Sequence, residues 1–218
     1  MNKEIQLEVN FNNIKNIKIP TSMLDSVYVE NFWYYKRLID THTTNRKTML
    51  QIGADKGNHS QSKEFWGVDK YINLDIQNDN SEYTVVGDIT DCKNLFDDET
   101  FDLVFTSDTF EHLKEPWKAA KEIVRVLNPG GIVFISTAFS WRYHPVPIDY
   151  WRFSPQCLSF LFEELDCIET NWDNLNRRQP IQGSTREDTC PTDHINKAVK
   201  LEGWIENWRV YYLGRKKL

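Results

Sequence analysis

The stretch Trp117-Lys118-Ala119-Ala120-Lys121-Glu122-Ile123-Val124-Arg125-Val126-Leu127-Asn128-Pro129-Gly130-Gly131-Ile132-Val133-Phe134-Ile135 changes its hydrophobic period once, and that change decides the fold class. From Trp117 to Leu127 the apolar residues Ala120, Ile123, Val124 and Leu127 recur at helical spacing, which predicts an amphipathic helix. Asn128-Pro129-Gly130-Gly131 stops it, with glycines suited to a C-terminal cap. Ile132 to Ile135 then runs without a polar break, as a strand buried on both faces does.

Upstream, four more apolar runs precede this helix. Met49 to Ile52 leads into Gly53-Ala54-Asp55-Lys56-Gly57, a glycine-punctuated turn that lets a ligand approach the backbone. Tyr71 to Leu74 ends in Asp75, Tyr83 to Val86 ends in Gly87-Asp88-Ile89, and Phe101 to Phe105 ends in Thr106-Ser107-Asp108. Apolar runs that end in polar residues predict an α/β fold of Rossmann-like kind. Its sheet is mostly parallel, with helices on both faces and a ligand rim at the strand C-termini. Asn58 to Phe65 is polar and weakly helical. Further upstream, Ile5 to Val9 alternates like a short strand. Ser22 to Asp40 predicts a helix, with Val29, Phe32, Trp33, Leu38 and Ile39 near helical spacing. Thr41 to Lys47 is a polar linker.

Downstream, Ser140 to Ser154 is a loop dense in aromatics and prolines. Ser154 suits a helix N-cap and Pro155 a first turn, with Leu158, Leu161, Phe162 and Leu165 as the apolar stripe. Cys167 to Trp172 predicts a strand, Asn174 to Pro191 a surface loop, Ile195 to Ile205 a short helix, and Trp208 to Leu213 a last strand. The last two strands suit a C-terminal antiparallel hairpin at the sheet edge.

The chain has 218 residues, 40% hydrophobic and 27% charged, enough for one α/β domain with its own core. Its net charge of −6 gives no support to a nucleic-acid or anionic-membrane partner. The four cysteines form no C-x-x-C pair and the five histidines show no ligand spacing, so no metal is expected and the thiols read as free in a reducing cytoplasm. No run approaches the ~20 apolar residues of a membrane span, and Met1 to Asn10 lacks a signal-peptide core. The nicotinamide fingerprint G-x-G-x-x-G is absent, as is the hydrolase elbow G-x-S-x-G. Tyr212 and Lys216 have reductase spacing but fall on a predicted strand at the end of the sequence.

The ordered set Met49–Gly57, Asp75, Gly87-Asp88-Ile89, Phe101–Ser107 with Glu111-His112, and Arg125–Gly131 resembles the class I S-adenosylmethionine-dependent methyltransferases, type 11-like, over roughly Thr48 to Leu165. The helix ending Arg-Val-Leu-x-Pro-Gly-Gly before an apolar strand is its most specific part and points to the small-molecule branch. His144 to Phe153 resembles a subgroup signature from bacterial glycan and secondary-metabolite gene clusters. The resemblance implies residues 1–47 as an N-terminal extension or helical cap and 48–218 as the methyltransferase domain. It implies methyl transfer from S-adenosylmethionine to a small-molecule or saccharide acceptor, at oxygen, with an oligomer possible.

On that resemblance Asp75 accepts hydrogen bonds from both ribose hydroxyls, for which an acceptor-only carboxylate is suited. Asp88 accepts from the adenine amino group, and Ile89 offers its backbone N–H. Gln51, Gly53, Ala54, Ile76, Thr106 and Ser107 complete the implied cofactor set. A base near neutral pH is sought in His144 first and His112 second; a structural role is open for both. Trp141, Tyr143, Asp149, Tyr150 and Arg152 are candidate acceptor contacts, with Asp149–Arg152 equally readable as a loop-fixing ion pair. The chain departs from the family at Gln51, where an acid is common, and at Asp55, where a second glycine is common. That departure motivates a rival reading, a methyltransferase-like binding or scaffold protein.

Overall fold

The pattern of apolar runs becomes one mixed sheet. The computed structural model describes residues 26–43, 46–54, 59–141, 143–145, 147–173, 177–180 and 204–218. The elements are α1 (Ser26–His42), β1 (Thr48–Ile52), α2 (His59–Trp66), β2 (Lys70–Asp75), β3 (Thr84–Val86) and β4 (Phe101–Ser107). A 3-10 turn (Phe110–His112), α3 (Pro116–Val126), β5 (Leu127–Ser140), α4 (Pro155–Leu161), β6 (Asp166–Trp172), β7 (Arg177–Pro180) and β8 (Trp204–Arg215) follow. The sheet order is β3-β2-β1-β4-β5-β8-β6, with β7 pairing β8 off this path. β1 to β5 run parallel to one another. β8 is antiparallel to both β5 and β6.

Alternation along the strands sorts the core into two layers. Met49, Leu103, Phe105, Ile132, Phe134, Tyr211 and Leu213 pack on one face with Tyr35 and Ile39 of α1 and Phe65 and Trp66 of α2. Leu50, Ile52, Val104, Val133, Ile135, Val210 and Tyr212 pack on the other with α3 and α4. Two covered faces explain why these strands read as continuous apolar runs. Ser154 caps α4 as its sequence predicts, its hydroxyl accepting from Cys157 N–H at 3.2 Å.

Four expectations are corrected. The glycines after α3 do not cap it. Leu127 is already extended, and β5 begins there. Gly130 has φ +77, and a Cβ on Gly131 would lie 2.8 Å from Asn128 O and 3.1 Å from Phe101 O, so the pair serves a kinked strand entry pressed against β4. Within the predicted loop after Asn174, Arg177–Pro180 is a strand. Trp204 and Ile205, expected in a helix, open β8. The rest of that helix, most of that loop, Asp55 to Gly57, and the strand over Ile5 to Val9 lie outside the described residues. The last strands are antiparallel as expected, but β8 lies inside the sheet and β6 forms its edge. Among the described residues no helix is long and apolar enough to cross a membrane.

Candidate active site

β1, β2 and β4 run in one direction, so their C-termini open on the same edge. There a cavity of about 280 Å³ is lined by Gly53, Ala54, Asp75, Asp88, Asp108 and His112, among others. Its floor is the turn after β1. Gly53 adopts φ +70, and a Cβ there would meet Thr109 Oγ1 at 2.5 Å, so only glycine fits without displacement. Its N–H donates to Leu74 O at 2.9 Å, tying the turn to β2. Ala54 N–H donates to Asn73 Oδ1 at 3.2 Å, and Asn73 Nδ2 donates to Thr84 Oγ1 at 3.1 Å. Thr109 hydroxyl reaches Ile52 O at 3.3 Å from the β4 side.

Of the expected cofactor set, Gly53, Ala54, Asp75, Ile76, Asp88 and Ile89 line this cavity, whereas Gln51, Thr106 and Ser107 do not. Strand alternation is the reason for Gln51: it sits with Met49 on the α1–α2 side, buried, accepting from Tyr71 hydroxyl at 2.9 Å. Thr106 is fully buried within the sheet, opposite Ile135. The chain leaves the sheet after Ser107, where Asp108 turns with φ +56 and, with Thr109, enters the wall. One oxygen of Asp75 accepts from Gln77 N–H at 2.9 Å. Asp88 Oδ1 accepts from both the N–H and the hydroxyl of Thr90 at 2.8 Å.

The wall opposite Asp75 comes from the 3-10 turn and the aromatic loop. Tyr150 N–H donates to Glu111 O at 2.8 Å, holding the loop against the turn. Glu111 is 1% exposed, and its Oε2 accepts from Thr137 hydroxyl at 2.7 Å. Burial, helped by the nearby Asp108 charge, pushes its carboxyl up to about 7. His112 Nδ1 lies 2.7 Å from Ile148 O. The rings of His112 and His144 stand 4.9 Å apart. His144 Nδ1 is 3.1 Å from Asp149 Oδ2, and His144 Nε2 is 4.0 Å from Glu111 Oε1.

Asp149 and Arg152 form an ion pair at 2.5 Å, with the Asp149 side chain 1% exposed, as the loop-fixing alternative expects. Burial raises the Asp149 carboxyl, but hydrogen bonds from Arg152 and His144 N–H outweigh it and hold the group below the usual carboxylate range. Arg152 also donates to Trp141 O at 3.0 Å. Tyr143 and Tyr150 are exposed, and Arg209 lies over the Trp141 ring at 4.8 Å. None of these five residues lines the cavity, although Pro147, from the same loop, does.

Sequence reasoning missed Asn73, Asp79, Asp108 and Thr109, all of them lining residues. A buried asparagine inside the apolar run Tyr71–Leu74 was the one available signal, since a buried amide needs partners. The metal expectation also rested on linear spacing, while Glu111, His112 and His144 offer ligand atoms all within 4.8 Å of one another.

A mostly parallel sheet in this order, with antiparallel β8 set beside β5, a glycine turn after β1 and acids at the ends of β2 and β3, fits the class I methyltransferase fold. Residues 50–135, less than half of the chain, match the methyltransferase domain family, and with the fold this match supports a class I, S-adenosylmethionine-dependent methyltransferase. The chain is 25% identical over 144 residues to the mitochondrial ubiquinone biosynthesis O-methyltransferase of Dictyostelium discoideum, covering 58% of this chain and 44% of that one. It is 27% identical over 123 residues to the 2-methyl-6-phytyl-1,4-hydroquinone methyltransferase of Synechocystis sp. (strain ATCC 27184 / PCC 6803 / Kazusa), covering 51% and 38%. The matches thus span less than half the length of either relative. A SAM-dependent methyltransferase from Archaeoglobus fulgidus superposes with a TM-score of 0.56 at 16% identity, over 86% of this chain and 94% of that one. That likeness concerns the fold alone.

The residues present fit S-adenosylmethionine: a turn with no room for a Cβ at Gly53, and carboxylates at Asp75 and Asp88 that accept without donating. That cofactor, when bound, supplies the activated methyl group.

Proposed function

We propose that this protein transfers a methyl group from S-adenosylmethionine to a hydroxyl oxygen of a small-molecule acceptor. The observation that carries the reading is the cavity built on the Gly53 turn, with Asp75 and Asp88 on one side and His112 on the other. In this reading Asp75 holds the ribose hydroxyls, Asp88 the adenine amino group, and backbone groups at Gly53 and Ala54 the methionine end. The chain's own contribution is alignment and exclusion of water. Loss of the acceptor's proton is assigned to His112, which lines the cavity, with His144 and Glu111 packed beside it and off the lining.

Two acceptor classes deserve first trial: phenolic rings, supported by the names of the two relatives, and glycan precursors, supported by the sequence of the aromatic loop. Residues 48–218 carry the transfer domain, and residues 1–47 an extension whose helix α1 buttresses the sheet through Tyr35 and Ile39. Free thiols at Cys92, Cys157 and Cys167 support a reducing cytoplasm.

Calorimetric titration with S-adenosylmethionine and S-adenosylhomocysteine tests the cofactor assignment, and methyl transfer from isotope-labelled cofactor onto an acceptor panel tests the reaction. Gln51, committed to Tyr71, is the observation that favours the scaffold reading. No binding heat from folded protein would decide for it.

A further inference from the structure

We propose that Glu111, His112 and His144 form a binding site for a divalent transition-metal ion beside the cavity, which His112 alone of the three lines. The inference rests on how each side chain is held. The carbonyl oxygen of Ile148 can only accept, so the hydrogen bond at 2.7 Å places a proton on His112 Nδ1 and leaves Nε2 as the electron-pair donor. Likewise the Asp149 carboxylate, 3.1 Å from His144 Nδ1, sets the tautomer in which His144 Nε2 is the donor. That nitrogen faces Glu111 Oε1 at 4.0 Å. Glu111 Oε2 is occupied by Thr137 at 2.7 Å, which aims Oε1 at the histidines.

Two electron-pair donors facing each other at 4.0 Å are too far apart for a hydrogen bond. Around a tetrahedral ion with bonds of about 2.0–2.2 Å, ligand atoms stand roughly 3.3–3.6 Å apart, so this pair needs to close by about half an ångström to share one. The widest of the three ligand-atom separations, 4.8 Å at most, has to close by at most about 1.5 Å to reach the same geometry, a side-chain adjustment. Every ligand has an outer partner: Thr137 for Glu111, Ile148 O for His112, and Asp149, itself fixed by Arg152, for His144. A carboxylate or carbonyl behind each histidine is the usual support of a metal-bound imidazole. Two imidazoles and one carboxylate favour Zn²⁺, Co²⁺, Fe²⁺ or Mn²⁺ over Mg²⁺ or Ca²⁺. The site escapes linear reading because its ligands come from two segments, the 3-10 turn and the aromatic loop.

Metal binding itself does not depend on the proposed methyl transfer; its catalytic consequence does. A Lewis acid at this wall eases loss of the acceptor's hydroxyl proton to water. The oxygen lone pair then forms the new C–O bond as the methyl–sulfur bond breaks, its electrons returning to sulfur as a neutral thioether. His144 then serves as a ligand and not as a free base.

The test uses the full chain, stripped with chelator and re-loaded. Elemental analysis after incubation with Zn²⁺, and the visible spectrum after incubation with Co²⁺, should both show stoichiometric metal. In His112→Ala/His144→Ala, and in the milder His144→Gln, apparent affinity should fall tenfold or more, with an unchanged denaturant-unfolding midpoint of the metal-free protein as the fold control. No retained Zn²⁺, Co²⁺ or Mn²⁺ in the parent protein, or equal retention by the variants, would overturn the site. Loss of cofactor binding with metal retained would overturn the functional reading and leave the site standing.

Discussion

Asp108 and Arg209, 101 residues apart, meet in a bidentate ion pair of 2.5 and 2.7 Å at the edge of the cavity. Asp108 leaves β4 in a left-handed turn, and Arg209 comes from the inserted strand β8, 3% exposed. Removing one partner of a buried pair strands the other charge, which costs about 3–5 kcal/mol. The Asp108 side chain left behind is 30% exposed, so Arg209→Ala is expected to lower stability by less than that, about 1–3 kcal/mol, in denaturant unfolding. Arg209→Lys keeps the charge without the fork and should fall between. Unchanged midpoints in both variants would show that the pair adds nothing.

Asp75→Ala removes the carboxylate assigned to the ribose. A charged hydrogen bond contributes about 1.5–3 kcal/mol, so calorimetry should show S-adenosylhomocysteine binding weakened roughly tenfold or more. Unaltered affinity would refute the assignment. Melting temperature should move little, because Asp75 is only partly buried and, among the described residues, its carboxylate accepts from Gln77 N–H alone.

Gly53→Ala places a side chain at φ +70 and directs its Cβ to 2.5 Å from Thr109 Oγ1. The left-handed backbone alone costs about 1–2 kcal/mol for an L-residue, and the collision adds to it. Gly53→Ala/Thr109→Ala should recover the collision part and not the backbone part. Additive effects in that double-mutant cycle would rule out the contact.

The hydrogen bond from His59 at 2.6 Å holds the Asp79 carboxyl at about 2, below its ordinary 3.8. A depressed carboxyl stabilises the fold above its unfolded value, and that stabilisation is lost as pH falls through the folded one. Acid unfolding should thus draw on this group between pH about 4 and about 2. Asp79→Asn should be less stable than the parent at neutral pH, with the gap closing across that window. A constant gap down to the acid limit would contradict the coupling.

Most of the sheet was legible because its strands are buried on both faces and so print as apolar runs: Met49–Ile52 and Ile132–Ile135 fall inside β1 and β5. The α3 stripe and the Ser154 cap were legible for the same reason, since local spacing carries them. Three features were not. The partner of Gln51 depends on which face of β1 it occupies, and a run apolar on both faces hides that phase. Asp108–Arg209 pairs across the fold and leaves no local pattern. The role of Gly130 and Gly131 depends on β4 lying against them, which turns an apparent helix cap into a strand entry.

The placement of β8 between β5 and β6 has a consequence in time. During synthesis β5 emerges with its outer edge unpaired, and it stays so until Trp204–Arg215 has followed. Pairings across long sequence separations form slowly, and an unpaired strand edge invites association with other chains. The cofactor half of the domain, made of local crossovers, is thus assembled first. The edge that Arg209 secures is completed last, which makes the interval before β8 docks the period in which this chain is most exposed to aggregation.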